Sequence, residues 1–94
     1  MERTVDVTLL GRPGCHLCDD ARTDIAAVVD SLAADPAAPT VTVTERSILD
    51  DPQLMERYAE EIPVVLIDGR MHTYWRVDRV RLAAALRDAG RVIA

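Results

Sequence analysis

From Val5 to Cys18 the chain reads Val-Asp-Val-Thr-Leu-Leu-Gly-Arg-Pro-Gly-Cys-His-Leu-Cys, and the fold is decided there. Val5, Val7 and Leu9 alternate with polar neighbours before Leu10, the period of a β-strand. Gly11-Arg12-Pro13-Gly14 gathers residues that break regular structure, so a loop must follow. After the cysteines, Ala21, Ile25, Val28, Val29 and Leu32 recur at helical spacing, with Asp19 and Asp20 in the first turns. Acids there complement the positive end of the helix dipole. The stretch therefore reads strand, tight loop, then a helix with Cys15 at its start and an end near Ala33.

Asp35-Pro36-Ala37-Ala38-Pro39 is a connecting loop, and Thr40 to Thr44 alternates Thr with Val, a β-branched run that predicts a second strand. Asp51-Pro52 predicts a helix cap followed by Pro at the first helical position, opening a short helix to about Tyr58. Pro63-Val-Val-Leu-Ile67 is a continuous apolar run, expected of a strand buried on both faces. Asp68-Gly69 is a two-residue hairpin signal and predicts an antiparallel strand ending near Trp75. Asp78 caps a last helix carrying Val80, Leu82, Ala83 and Leu86, which Gly90 ends. The order β-α-β-α-β-β-α gives an α/β fold. Its four-stranded mixed sheet is flanked by helices, the first two strands are parallel and the last pair antiparallel. That is the minimal thioredoxin-like order, reached without using the cysteines.

Ninety-four residues form a single domain, 1–94, and 49% apolar content suffices for a core. The only aromatics are Trp75, Tyr58 and Tyr74, so aliphatic side chains must fill the interior. A net charge of −5 repels phosphate and argues against nucleic acid or an acidic membrane surface as partner. Met1-Glu2-Arg3-Thr4 carries no apolar signal core, and no apolar run approaches the roughly 20 residues that span a bilayer. The protein is expected to be cytoplasmic and monomeric. In a reducing compartment, two close cysteines are more often catalytic or metal-binding than structural.

At the start of a helix, unpaired N–H groups and the dipole stabilise a thiolate. Such cysteines have pKa values lowered to about 3.5–7.5 from about 8.5. Two intervening residues put the second sulfur one turn along. Cys15, at the exposed tip, is expected to attack, and Cys18, one turn into the helix, to resolve the mixed disulfide. Zinc would need four ligands. Only His16 and His72 could join the pair, and their spacing does not suggest it. His16 has two open roles: its imidazole stabilises the thiolate and raises the reduction potential, or it merely spaces the sulfurs. Leu17 is expected to form a hydrophobic contact near the site.

The strand–loop–Cys-x-x-Cys–helix start, joined to Ile62-Pro63 at the head of a later strand, resembles the glutaredoxin branch of the thioredoxin superfamily. It is most similar to short bacterial glutaredoxin-like proteins with an Arg-Pro-Gly-Cys-His-Leu-Cys signature, here residues 12–18. The resemblance implies thiol–disulfide exchange, no bound cofactor, and glutathione or another low-molecular-weight thiol as reductant. The partner would be a thiol peptide or a disulfide-containing protein. It also implies that the Ile62–Pro63 bond is cis and faces the cysteines, with the backbone of Ile62 pairing to the incoming peptide. Glutathione-using members carry a Gly-Gly pair and an Asp before the last helix. Here Tyr74-Trp75-Arg76-Val77-Asp78 keeps only the acid, which puts glutathione in doubt.

Asp78 is most simply an N-cap, with ligand binding second. Arg12 is placed to steer anionic thiol peptides or favour the thiolate, although an Arg in a Pro-Gly loop is commonly solvated. Trp75 could flank the groove, but packing is the commoner role for Trp. His72 is expected on the solvent face of its strand. Two other classes remain beside the enzyme: a metal or iron–sulfur module using the same sulfurs, and a non-catalytic thioredoxin-fold domain that only binds partners.

Overall fold

The computed structural model describes residues 3–91; of the N-terminal stretch read above, Met1 and Glu2 lie outside it. Strand β1 (Thr4–Gly11) leads through the Arg12–Gly14 loop to α1 (His16–Ala33), then β2 (Thr40–Ser47), α2 (Pro52–Tyr58), β3 (Val64–Ile67), β4 (Arg70–Tyr74) and α3 (Arg79–Ala89). The sheet order is β2-β1-β3-β4, with β1 parallel to β2 and antiparallel to β3, and β4 antiparallel to β3. The predicted thioredoxin-like architecture is the observed one.

Alternation along β1 builds two cores. Val5, Val7 and Leu9 face α1 and α3 and pack with Ile25, Val28, Leu32, Leu82 and Leu86. Each such large side chain, once buried, contributes about 1.5–3 kcal/mol. Leu10 turns to the opposite face, where Ile48, Tyr58 and Val64 join it under the short α2. A helix of seven residues covers only one end of that face. The uncovered end is polar: Asp6 accepts hydrogen bonds from Thr8 and Thr42, and its own N–H donates to Asp68.

Local signals act as expected at the joints. Asp51 and Asp78 accept from Gln53 N–H and Arg81 N–H as N-caps. Asp68 and Gly69 both take positive φ, 50° and 82°, the hairpin geometry that Asp-Gly favours. Gly90 ends α3 without a left-handed turn, and a Cβ there would lie 2.5 Å from Pro39, so close packing is what demands glycine.

Three expectations change. The second strand runs on to Ser47, because polar Thr44, Glu45 and Arg46 are at home on an exposed edge. A single 3₁₀ turn, Ile48–Asp50, then drops Ile48 into the second core. Val80 is 82% exposed, since it lies two positions from Leu82 and a helix cannot present both to one side. His72 is half-buried rather than on an open solvent face. Val65 pairs with Thr73 and Leu66 with Met71, leaving His72 as the extra residue of a β-bulge.

Charged pairs fasten the edges. Arg22 on α1 grips both carboxylate oxygens of Glu45 on β2 at 2.7 Å, which holds the Glu45 carboxyl below its usual range. Desolvation, reinforced by the Arg81 charge, pushes the His72 imidazole below its ordinary 6.5. Folded His72 thus stays neutral where the unfolded chain has begun to take a proton. Its stability contribution is complete above 6.5 and is lost as pH falls through the folded pKa. His72→Gln is expected to flatten this slope, and only modestly because the ring is only half-buried. Urea melts on both proteins at mildly acidic and neutral pH test it; an unchanged slope would count against the imidazole.

Candidate functional site

The carboxyl end of β1 delivers the chain to one edge of the molecule. Gly14 turns it with φ of 77°. Cys15 then takes extended geometry (φ −95°, ψ 112°) as the N-cap of α1. Its Sγ accepts the Cys18 N–H at 3.1 Å, and its carbonyl accepts the Asp19 N–H at 3.1 Å. Cys15 thereby satisfies one of the orphan donors that open a helix. The two sulfurs are joined in a disulfide, with Cα atoms 5.1 Å apart. The exposures are unequal: Cys15 is half-buried, whereas Cys18 is 1% exposed.

Gly11 explains how Cys18 fits. It is the last residue of β1, not merely a loop breaker, and a Cβ on it would lie 2.9 Å from Cys18 Sγ and 3.3 Å from Cys18 Cβ. Only a residue without a side chain lets the first turn of α1 sit so close to the strand. A Gly ending an apolar strand just before the cysteines was the available signal, but its neighbour is seven residues away.

The Ile62–Pro63 bond is cis, as the resemblance implies. Leu10 pairs with Val64 in the antiparallel register, so buried Pro63 lies beside Gly11 at the cysteine end of the sheet. The Ile62 side chain packs against the second core. No hydrogen bond from its own N–H or to its C=O is found among the described residues.

Half-buried Leu17 lines a groove of about 350 Å³ with Asp20, Ala21, Asp24, Trp75 and Arg76. This joins the start of α1 to the segment between β4 and α3. Trp75 is not the packing residue that its type suggests: it is 52% exposed, with its ring edge-on to Tyr74 at 4.9 Å. His16 is exposed in the first turn of α1, and Arg12 is exposed in the preceding loop. Asp78 is committed to capping α3 and is not among the groove residues. Among the described residues, no three His, Cys, Asp or Glu side chains gather as metal ligands. Nor, among them, is any helix long and apolar enough to cross a membrane.

A four-stranded sheet of this order, with a Cys-x-x-Cys disulfide opening the helix after β1 and a cis proline opening β3, defines a thioredoxin-like protein whose site is compatible with thiol–disulfide redox chemistry. The solved structure of the Xanthomonas campestris protein XcR50 superposes with a TM-score of 0.67 at 32% identity, over 90% of this chain and 99% of that one. Protein Ne2328 from Nitrosomonas europaea gives a TM-score of 0.73 at 18% identity, over 92% of this chain and 94% of that one. A thioredoxin variant from Halobacterium salinarum shares the fold at a TM-score of 0.57 and 17% identity, over 96% of this chain and 78% of that one. Residues 6–87 match the family model of the glutaredoxin-like domain (DUF836), and the chain belongs to that family. An uncharacterized protein of Mycobacterium tuberculosis, Rv0508, is 37% identical over 78 residues, 83% of this chain and 78% of that protein.

Proposed function

We propose that the protein is a thiol–disulfide oxidoreductase acting on protein or low-molecular-weight-thiol disulfides. One observation carries this: a disulfide at a helix N-terminus with its first sulfur half-exposed and its second buried. In the reduced protein the Cys15 thiolate attacks one sulfur of a substrate disulfide. The S–S bond breaks, one substrate sulfur leaves and takes a proton, and a mixed disulfide forms at Cys15. Cys18 loses its proton and attacks Cys15 Sγ, releasing the second substrate thiol. Two electrons have passed to the substrate, and the Cys15–Cys18 disulfide remains. Two equivalents of a low-molecular-weight thiol, glutathione or another, restore the dithiol and leave as their own disulfide.

The remaining residues assist. The backbone of Ile62 beside Pro63 pairs with an extended thiol peptide, and Leu17 supplies an apolar contact at the groove. Arg12, exposed in the loop before Cys15, steers anionic thiol peptides to the site, and exposed His16 separates the two sulfurs in the first turn of α1. Asp78 contributes chiefly by fixing the start of α3, with direct ligand contact secondary. Cytoplasmic residence fits a pair that cycles through its reduced form.

Cys18→Ser tests this reading. It removes the resolving sulfur, so incubation with a disulfide-containing peptide is expected to accumulate a stable adduct at Cys15, read as a mass increase reversed by excess dithiothreitol. No adduct with any disulfide, together with visible absorbance or bound metal after anaerobic purification, would assign the cysteines to metal instead. Partner binding that survives loss of both cysteines would leave a scaffold.

A further inference from the structure

Trp75 has φ of 67°, a genuine outlier for a bulky L-residue. Strain of this kind collects at functional sites and persists only where surrounding contacts over-determine it. The contacts here are specific. The Trp75 backbone N–H donates to the Pro63 carbonyl at 2.8 Å, and its indole N–H donates to the Glu60 carbonyl at 3.0 Å. One residue from the β4–α3 corner therefore holds both ends of the Glu60–Pro63 segment, and Ile62 lies between the two bonds. The indole spans that segment while its exposed ring walls the groove shared with Leu17.

We propose that Trp75 is a positioning and specificity residue: it fixes the Ile62 backbone for an extended peptide flanking the reacting disulfide, and so favours peptide over small-molecule disulfides. This rests on the thiol–disulfide function proposed above and names its substrate class. An extended peptide presents main-chain N–H and C=O groups on both sides of its cysteine, and the unpartnered main-chain groups of Ile62 can pair with them strand-to-strand. A small disulfide such as 2-hydroxyethyl disulfide offers no such backbone and gains nothing from the clamp.

Trp75→Phe keeps an aromatic ring at the groove and removes the indole donor together with part of the ring surface. The ratio of kcat/KM for a short cyclic peptide closed by one disulfide to that for 2-hydroxyethyl disulfide is expected to fall about three- to tenfold, mostly through KM, the scale of one lost hydrogen bond. Equal loss for both substrates, or no loss, overturns the proposal. A measurement on the intact indole guards against a variant that folds poorly. Trp75 is the only tryptophan, so its emission is unambiguous. In Cys18→Ser, the trapped cyclic peptide should shift that emission relative to the trapped mercaptoethanol adduct; identical spectra overturn the proposal. A Cys18→Ser protein that traps nothing removes the redox function and this inference together. Trapping with an unchanged substrate ratio removes only the role of Trp75.

Discussion

Cys15→Ser is expected to reduce disulfide exchange to the rate of the reagents in buffer. The loss should be at least about 10³-fold, the scale on which removing a nucleophile acts. Serine is a sharp probe here because it preserves what Cys15 does structurally. The residue is the N-cap of α1 and accepts the Cys18 N–H, and a serine Oγ is among the best acceptors at that place. The other structural loss is the disulfide. The loop it closes runs only from residue 15 to residue 18, for which chain entropy gives about 2 kcal/mol. The variant should therefore remain folded, with a circular dichroism spectrum matching the reduced parent, while exchange disappears. Retained exchange in this variant would show that Cys15 is not the attacking group. Cys18→Ser separates the two halves of the cycle: substrates resolved by a second external thiol should still turn over, and those that need the internal dithiol should stop.

Most of the frame could be read from local pattern because local physics sets it. The β1 alternation, the α1 periodicity, the caps at Asp51 and Asp78 and the Asp68-Gly69 turn each depend on neighbours within a few residues. The cysteine pair was legible for the same reason: its chemistry comes from a helix start that the Gly11–Gly14 breakers announce. What escaped depends on distant partners. His72 looked like an ordinary strand residue because a bulge is a mismatch between two strands and cannot be seen in one. For Trp75 residue type favoured packing over flanking the groove, and its half-exposed ring is held by a backbone bond to Pro63 and an indole bond to Glu60, both distant in sequence. The groove itself joins α1 to the β4–α3 corner, and its lining residues on the two sides are more than fifty positions apart along the chain.

These distant contacts share one end of the sheet. Pro63 lies beside Gly11 through the β1–β3 register, and Trp75 reaches the same segment from the far end of β4. The short α2 leaves the opposite end of its sheet face to Asp6, Thr8 and Thr42, which bond to one another and offer no reactive sulfur or unsatisfied cation. The fold thus gathers the Gly11–Cys18 approach, its positive-φ tryptophan and its cis proline where the cysteines are, while the other tight approach, Gly90 against Pro39, lies at the opposite end of β1 and serves packing. Its cap-and-turn chemistry elsewhere serves the scaffold.

Gly11→Ala carries that concentration into a measurable quantity. The new Cβ would meet Cys18 Sγ at 2.9 Å, closer than side chains tolerate, while the backbone φ at Gly11 presents no obstacle to alanine. In the oxidised protein Cys18 Sγ is bonded to Cys15 and cannot rotate away, so the helix start must shift. In the reduced protein the thiol is free to change rotamer and relieves part of the clash. Overpacking of this kind costs about 1–3 kcal/mol. The fraction borne only by the oxidised form raises the reduction potential, since 30 mV corresponds to about 1.4 kcal/mol for a two-electron couple. An increase of about 20–60 mV is expected if the oxidised form carries nearly all of it. Equilibration in graded dithiothreitol buffers, followed by alkylation of free thiols, reads the potential directly. Thermal melts should show the oxidised variant losing more stability than the reduced one. A potential that stays put, or falls, would mean that the space beside Gly11 does not discriminate between the two redox states of Cys18.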